Sequence, residues 1–164
     1  MQFLFLNCTE RCGGNLITRI ADTHSQIRGP SPTHLFRLLL LNLEKYGSLE
    51  QDRNWRKFLL DAEGIFRAKL GEWRTQFSAE EYLKFGATRN VGWLLRAIYE
   101  KEASAHGKDR LFIKENQIHR FLPQILDCFP DARFVRLVRD PRDMALSWKK
   151  APSMRGGVIR AADV

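Results

Sequence analysis

Phe3-Leu4-Phe5-Leu6-Asn7-Cys8-Thr9-Glu10-Arg11-Cys12-Gly13-Gly14-Asn15-Leu16-Ile17-Thr18-Arg19-Ile20 changes character twice along its length. The apolar start, Phe3 to Leu6, predicts a buried strand of a parallel sheet. Asn7 to Gly14 predicts a tight polar turn that holds Arg11 and the adjacent Gly13 and Gly14. From Asn15 onward, Leu16, Ile17 and Ile20 recur with a helical period. Strand, glycine-bearing turn and helix, in that order, form an architecture that holds a phosphate. The turn exposes N–H groups, the helix N-terminus adds partial positive charge, and glycine permits close approach. Compared with the nucleotide-binding P-loop, G-x-x-x-x-G-K-[ST], the window Cys8 to Asn15 keeps Gly13. It has Gly14 in the lysine place and Asn15 in the hydroxyl place, so ATP or GTP chemistry is poorly supported. The cation of this loop is Arg11.

Two further strands are predicted, at Arg110 to Ile113, ending in Lys114-Glu115-Asn116, and at Arg133 to Val138. Between them, Ile118, Phe121, Leu122, Ile125, Leu126 and Phe129 predict one apolar helix face. Asp140 as N-cap and Pro141 at the first helical place predict a helix after the last strand. Residues from Gln51 to His106 read as helical. Trp55, Phe58, Leu59, Ala62, Ile65 and Phe66 form one stripe, and Val91, Leu94, Leu95 and Ile98 another. Thr33 is a candidate cap for a helix carrying Leu35, Leu38, Leu39 and Leu41. Ser78 with Glu81 reads as a capping box, and Gly107 as a helix stop. Gly29-Pro30-Ser31-Pro32 is a stiff connector. The alternation implies an α/β fold, in which ligands bind beyond the carboxyl ends of the parallel strands. Arg11, Lys114 and Arg139 all fall at such ends.

The chain has 164 residues, 44% hydrophobic and 28% charged, which fits a single domain over residues 1–164 with its own core. Of the net charge of +8, +5 lies from Arg133 onward, which favours an anionic ligand there. Cys8, Cys12 and Cys128 give no disulfide framework or zinc spacing. Cys8 and Cys12 read as small residues flanking the turn, a reactive thiol at Cys12 being the less favoured alternative. No run spans a bilayer and the start lacks signal-peptide features, so a cytoplasmic location is expected.

Arg11-Cys12-Gly13-Gly14-Asn15-Leu16 resembles the 5′-phosphosulfate loop of sulfotransferases that use 3′-phosphoadenosine 5′-phosphosulfate, roughly R-S-G-T-T-L; three places match and three depart. Phe129 to Asp143, continuing to Ser147-Trp148, resembles the same family's 3′-phosphate segment, with an arginine at the strand end and a serine eight residues later. Lys114 to Leu122-Pro123 has the spacing of the family's K-T-P-x-x-x-x-x-L-P segment, with Glu115 and Asn116 in place of threonine and proline. Gly156 to Ala162 is similar to bacterial members that act on small or carbohydrate acceptors.

The resemblance implies a P-loop-like three-layer fold with a central parallel sheet and a helical insertion. It implies transfer of a sulfuryl group from 3′-phosphoadenosine 5′-phosphosulfate to a hydroxyl or amine of a small-molecule or carbohydrate acceptor, without metal and without nucleic acid as partner. Arg11, Cys12, Gly13, Gly14, Asn15 and Leu16 would line the 5′ end of the donor, and Arg139 and Ser147 would hold its 3′-phosphate. Lys114 would balance charge on the bridging oxygen. The general base is left open between His34, which is favoured, Glu115 and His119. Relatives place it where this chain has Asn116, or near Ser31 and Pro32. Family members continue well past Val164, so a chain incomplete as a catalyst is expected. Two other readings stand beside this one: a P-loop-type kinase, and a non-catalytic anion- or nucleic-acid-binding domain.

Overall fold

The computed structural model describes residues 1–68, 72–84 and 89–150. Its strands are β1 (Gln2–Cys8), β2 (Ile27–Arg28), β3 (Arg110–Asn116) and β4 (Arg133–Arg136), all parallel in the order β2-β3-β1-β4. β1 pairs with β3 from Gln2 opposite Arg110 to Cys8 opposite Asn116. On its other edge β1 pairs with β4, from Leu4 opposite Arg133 to Asn7 opposite Arg136. The loop at Arg11 and the segment leading to Arg139 therefore leave the same end of neighbouring strands. The helices are α1 (Gly14–Asp22), α2 (Leu35–Leu40), α3 (Asp52–Arg67), α4 (Ala79–Lys84), α5 (Val91–Ala105), α6 (Leu122–Cys128) and α7 (Pro141–Lys149).

Because side chains alternate across a strand, the sheet serves two layers. Phe3, Phe5, Leu111 and Ile113 join the large core with Phe36, Phe58, Leu95, Tyr99 and Phe129 from the helical side. Leu6, Cys8 and Phe112 form a smaller cluster with Ile17 and Ala21 of α1. The result is a three-layer α/β fold whose helical insertion, α3 to α5, lies in the sequence between β2 and β3. The apolar stripes expected from Trp55 to Phe66 and at Leu94, Leu95 and Ile98 are buried, with Ile65 and Val91 partly so. Gly107 stops α5 at φ 66°: its own N–H donates to Ser104 O at 2.9 Å, and the Lys108 N–H to Ala103 O at 3.0 Å.

Several expectations are corrected. In α1, Leu16 and Ile20 are 62% and 56% exposed, whereas Gly14 and Thr18 face inward. Small residues let the helix lie close: a Cβ on Gly29 would stand 2.4 Å from the Thr18 carbonyl oxygen, and the Thr18 hydroxyl is absorbed by Gly14 O at 2.9 Å. The helix expected from Ile118 is a 3₁₀ turn, Ile118–Arg120, followed by α6; the break at Phe121 turns Leu126 outward. Leu38 and Leu41 are likewise exposed. His34, not Thr33, sits at the cap position of α2, while Thr33 Oγ1 accepts from the Leu35 N–H at 3.3 Å. No capping hydrogen bond between Ser78 and Glu81 occurs among the described residues: Glu63 accepts from the Ala79 N–H at 3.1 Å, and Glu81 accepts from Lys101. β2 is too short to leave a periodic pattern in the sequence. The strand expected to reach Val138 ends at Arg136, although the Leu137 N–H still donates to Asn7 O at 3.0 Å. The features expected at Gly156 to Ala162 and Val158 to Val164 lie outside the described residues.

Candidate functional site

After Cys8 the chain turns through two left-handed residues, Arg11 at φ 64° and Gly13 at φ 99°, before α1 begins. A non-glycine residue in that region is uncommon and costs local strain. Nothing lies within 4 Å of where a Gly13 side chain would start, so the backbone is open there. Gly14 is the opposite case. A Cβ on it would stand 2.8 Å from both Cys8 Sγ and Lys114 Cε. The place of a P-loop lysine thus has no room for a side chain, and the lysine over the turn arrives from β3. Asn15 and Leu16 are exposed at the start of α1. Cys8 and Cys12 are buried. Burial, with Cys12 beside it, pushes the Cys8 thiol up to about 12, so it remains protonated at neutral pH.

The other half comes from the C-terminal side of β4. Asp140 accepts from the Arg142 N–H at 2.8 Å and caps α7, with Pro141 in its first turn. This start turns Ser147 back toward the loop after β1. Arg11 Nε donates to Ser147 Oγ at 3.0 Å, and Arg139 Nη1 donates to Arg11 O at 3.1 Å. Arg139 and Ser147 therefore meet on Arg11 rather than on each other, and both arginines stay exposed. Alongside, Thr9 Oγ1 donates to Met144 Sδ at 3.8 Å, and Trp148 Nε1 is buried without a partner among the described residues.

On the other edge of β1 lies the end of β3. Lys114 points to the α1 side and Glu115 to the helical side. Glu115 is fully buried, and neither carboxylate oxygen has a hydrogen bond among the described residues. His34 Nδ1, also buried and unbonded, lies 3.8 Å from Glu115 Oε2. Burial raises the Glu115 carboxyl above the usual carboxylate range, against the pull of His34, Arg37 and Lys114. Burial also holds the Tyr99 hydroxyl well above its ordinary value, and the Glu115 charge adds to this. Asn116 donates to Glu10 Oε1 at 3.3 Å, while His119 is exposed on the 3₁₀ turn.

A profile of the sulfotransferase family matches residues 4–157, nearly the whole chain. The chain belongs to the sulfotransferase family. No curated protein matches it. Membership supports a transferase acting by sulfuryl transfer, and it accounts for a phosphate-type loop without a P-loop lysine.

Of the residues read from this sulfotransferase sequence, Arg11, Ser147 and Arg139 are brought together, Lys114 reaches Gly14, and His34 faces Glu115. His119, Asn15 and Leu16 stand apart at the surface. Sequence reasoning missed the surroundings of Glu115. Thr33 comes from the segment before α2, Arg37 from α2 and Tyr99 from α5, and the Thr33 and Tyr99 hydroxyls lie 3.4 Å apart. Arg37 and Tyr99 carry only the local signal of polar groups on otherwise apolar helices. No group of three or more potential metal ligands occurs among the described residues. None of the described helices is long and apolar enough to cross a membrane.

Proposed function

We propose that this sulfotransferase uses 3′-phosphoadenosine 5′-phosphosulfate as donor and transfers its sulfuryl group to a hydroxyl or amine of a small-molecule or carbohydrate acceptor. The observation that carries the reading is the lacing of the loop after β1 to α7 through Arg11, with Ser147 on its side chain and Arg139 on its carbonyl. A ligand with phosphate groups at both ends suits such a junction. One anion would lie over the loop and α1, the other against Arg139 and Ser147. The fit rests on features of the chain itself: an open backbone at Gly13, exposed guanidinium groups at Arg11 and Arg139, and a lysine over Gly14.

When bound, the donor supplies an activated sulfuryl group on a phosphate leaving group. Sulfuryl transfer asks little covalent work of a protein, so positioning and charge stabilisation dominate. Arg11 and the amides at the start of α1 hold the 5′ end, with the helix dipole favouring the anion. Lys114 balances charge on the departing oxygen. Arg139 gives charge-assisted bonds to the 3′-phosphate, and Ser147 adds one. The chemistry needs no metal, and the reading takes the protein to be cytoplasmic, in keeping with its free cysteines.

Arg139→Ala tests the reading. It should weaken 3′,5′-adenosine bisphosphate by about 1.5–3 kcal/mol, the worth of a hydrogen bond to a charged group. AMP, which lacks the 3′-phosphate, should be nearly unaffected. Equal losses for the two ligands in calorimetric titrations would remove the assignment of the 3′-phosphate to Arg139.

A further inference from the structure

The two places where sulfotransferases of the resembling types carry a base are filled here by groups that cannot take a proton usefully. Asn116 is an amide already bonded to Glu10, and Ser31 and Pro32 lie in the connector, where the Ser31 carbonyl accepts from Trp73 Nε1 at 2.9 Å. A reaction that removes a proton from an acceptor still needs a base within reach of the transfer site. Of the chain's four histidines, two are spoken for. His24 Nδ1 accepts from the Gln26 N–H at 3.1 Å, and His106 Nε2 bonds Glu102 at 3.0 Å. His119 is exposed, with no carboxylate within ion-pair distance among the described residues.

His34 differs in each respect. Its Nδ1 is buried without a hydrogen bond, yet its side chain as a whole is 22% exposed, so the accessible part of the ring is the other edge. The nitrogen that is hidden faces a carboxylate that is itself fully buried and unbonded, 3.8 Å away. That distance is one short movement from a hydrogen bond, and catalytic contacts are often long before substrate binds. The backbone of His34 is held left-handed at φ 59°, a conformation that persists where surrounding structure imposes it and that clusters at working sites. Glu115 is the penultimate residue of β3, and His34 ends the segment that leaves β2 for α2, so the pair lies at the same end of the sheet as the loop after β1, on the opposite face of β3 from Lys114.

We infer that His34 and Glu115 form the acid–base pair of this sulfotransferase, with His34 Nε2 the catalytic base and Glu115 the residue that positions it. The inference rests on the sulfuryl-transfer reading above and adds the group that accepts the proton. As the acceptor oxygen bonds to sulfur, the bond from sulfur to the bridging oxygen breaks. Its electron pair stays on the 5′-phosphate, facing Lys114. The acceptor proton passes to His34 Nε2, and the imidazolium so formed is balanced across Nδ1 by the Glu115 carboxylate; the proton later leaves to water. The charged or titratable groups around the pair are Arg37 from α2 and Tyr99 from α5, with Lys114 of β3 acting on Glu115 from the opposite face of the sheet.

The test is a titration of the histidine rings by NMR on the ligand-free full chain. In Glu115→Gln the His34 ring should release its proton at a lower pH than in the wild type, because the carboxylate facing it at 3.8 Å is gone. His24 and His119 should titrate as in the wild type. If Glu115→Gln does not fold, His34→Gln is read through the Glu115 carboxyl carbon, which should then titrate higher than in the wild type. An unchanged His34 titration, or an unchanged Glu115 titration in the second variant, overturns the pairing. On any hydroxyl acceptor, His34→Gln should slow transfer at least 100-fold with binding of 3′,5′-adenosine bisphosphate retained; an unchanged rate overturns the base assignment. Failure of the wild type to bind that nucleotide would instead strike the donor reading, leaving the titration to be judged separately.

Discussion

Where β2 meets α5, Glu102 is fully buried and surrounded by donors. Arg28 Nη2 gives it a bond of 2.8 Å, the Thr75 N–H and hydroxyl give 3.0 and 2.9 Å, and His106 Nε2 lies at 3.0 Å. At the end of β3, Glu115 is just as deeply buried and has no hydrogen bond among the described residues. Burial alone would push the Glu102 carboxyl up, but Thr75 and Arg28 hold it below the usual carboxylate range. Glu115 moves the other way. Equal depth with opposite treatment separates a carboxylate that fixes the fold from one held in reserve. Arg28 also pairs with Asp22 at 2.8 Å, so Glu102 ties α1, β2, α5 and the segment at Thr75 into one corner. Glu115 makes no such hydrogen-bonded tie among the described residues.

The largest expected effect follows from breaking the satisfied corner. Glu102→Ala leaves Arg28 buried without its main partner and should cost about 3–5 kcal/mol of stability at pH 7, read by urea unfolding. A loss below about 1 kcal/mol would mean that the corner is not a structural pin. The next effect is a pair of opposite pH slopes, each limited to about 1.4 kcal/mol per pH unit for one proton. Glu102, with its folded pKa depressed, contributes stability above its unfolded value near 4.5, which is lost as pH falls through the folded value. Glu115, with its folded pKa raised, contributes stability below its unfolded value, also near 4.5, which is lost as pH rises through the folded value. Unfolding free energies measured from pH 3 to 8 should therefore show a shallower acid-side fall in Glu102→Gln, Asp22 and Asp131 still contributing to it, and a shallower alkaline-side fall in Glu115→Gln. Slopes of the same sign would erase the contrast. The smallest effect belongs to the exposed half of the site. Ser147→Ala should change folding stability by less than about 0.5 kcal/mol while weakening 3′,5′-adenosine bisphosphate by about 0.5–1.5 kcal/mol, both measurable by calorimetry.

The division between what was legible and what was not follows the range of the interactions. The strand, turn and helix around Arg11, the strands before Lys114 and Arg139, and the cap at Asp140 are written in adjacent residues, and the parallel sheet follows from their order. The two-residue β2 leaves no periodic trace. In α1 the apolar period misled, because packing by Gly14 and Thr18 overrode it. The bond between Arg11 and Ser147 joins residues 136 positions apart, and the Arg28–Glu102 contact spans 74. No local pattern marks either. The pairing of His34 with Glu115 is of the same kind: each residue was a candidate in the sequence, but only the fold turns them toward each other.

Calorimetric titration of the wild-type chain with 3′,5′-adenosine bisphosphate and with AMP tests the central claim most directly, since the two ligands differ only in the 3′-phosphate. The account predicts at least about tenfold tighter binding of the bisphosphate, in line with one or more charge-assisted bonds to that group. Equal affinity for both, or no binding of either, would contradict the donor site built on Arg11, Arg139 and Ser147.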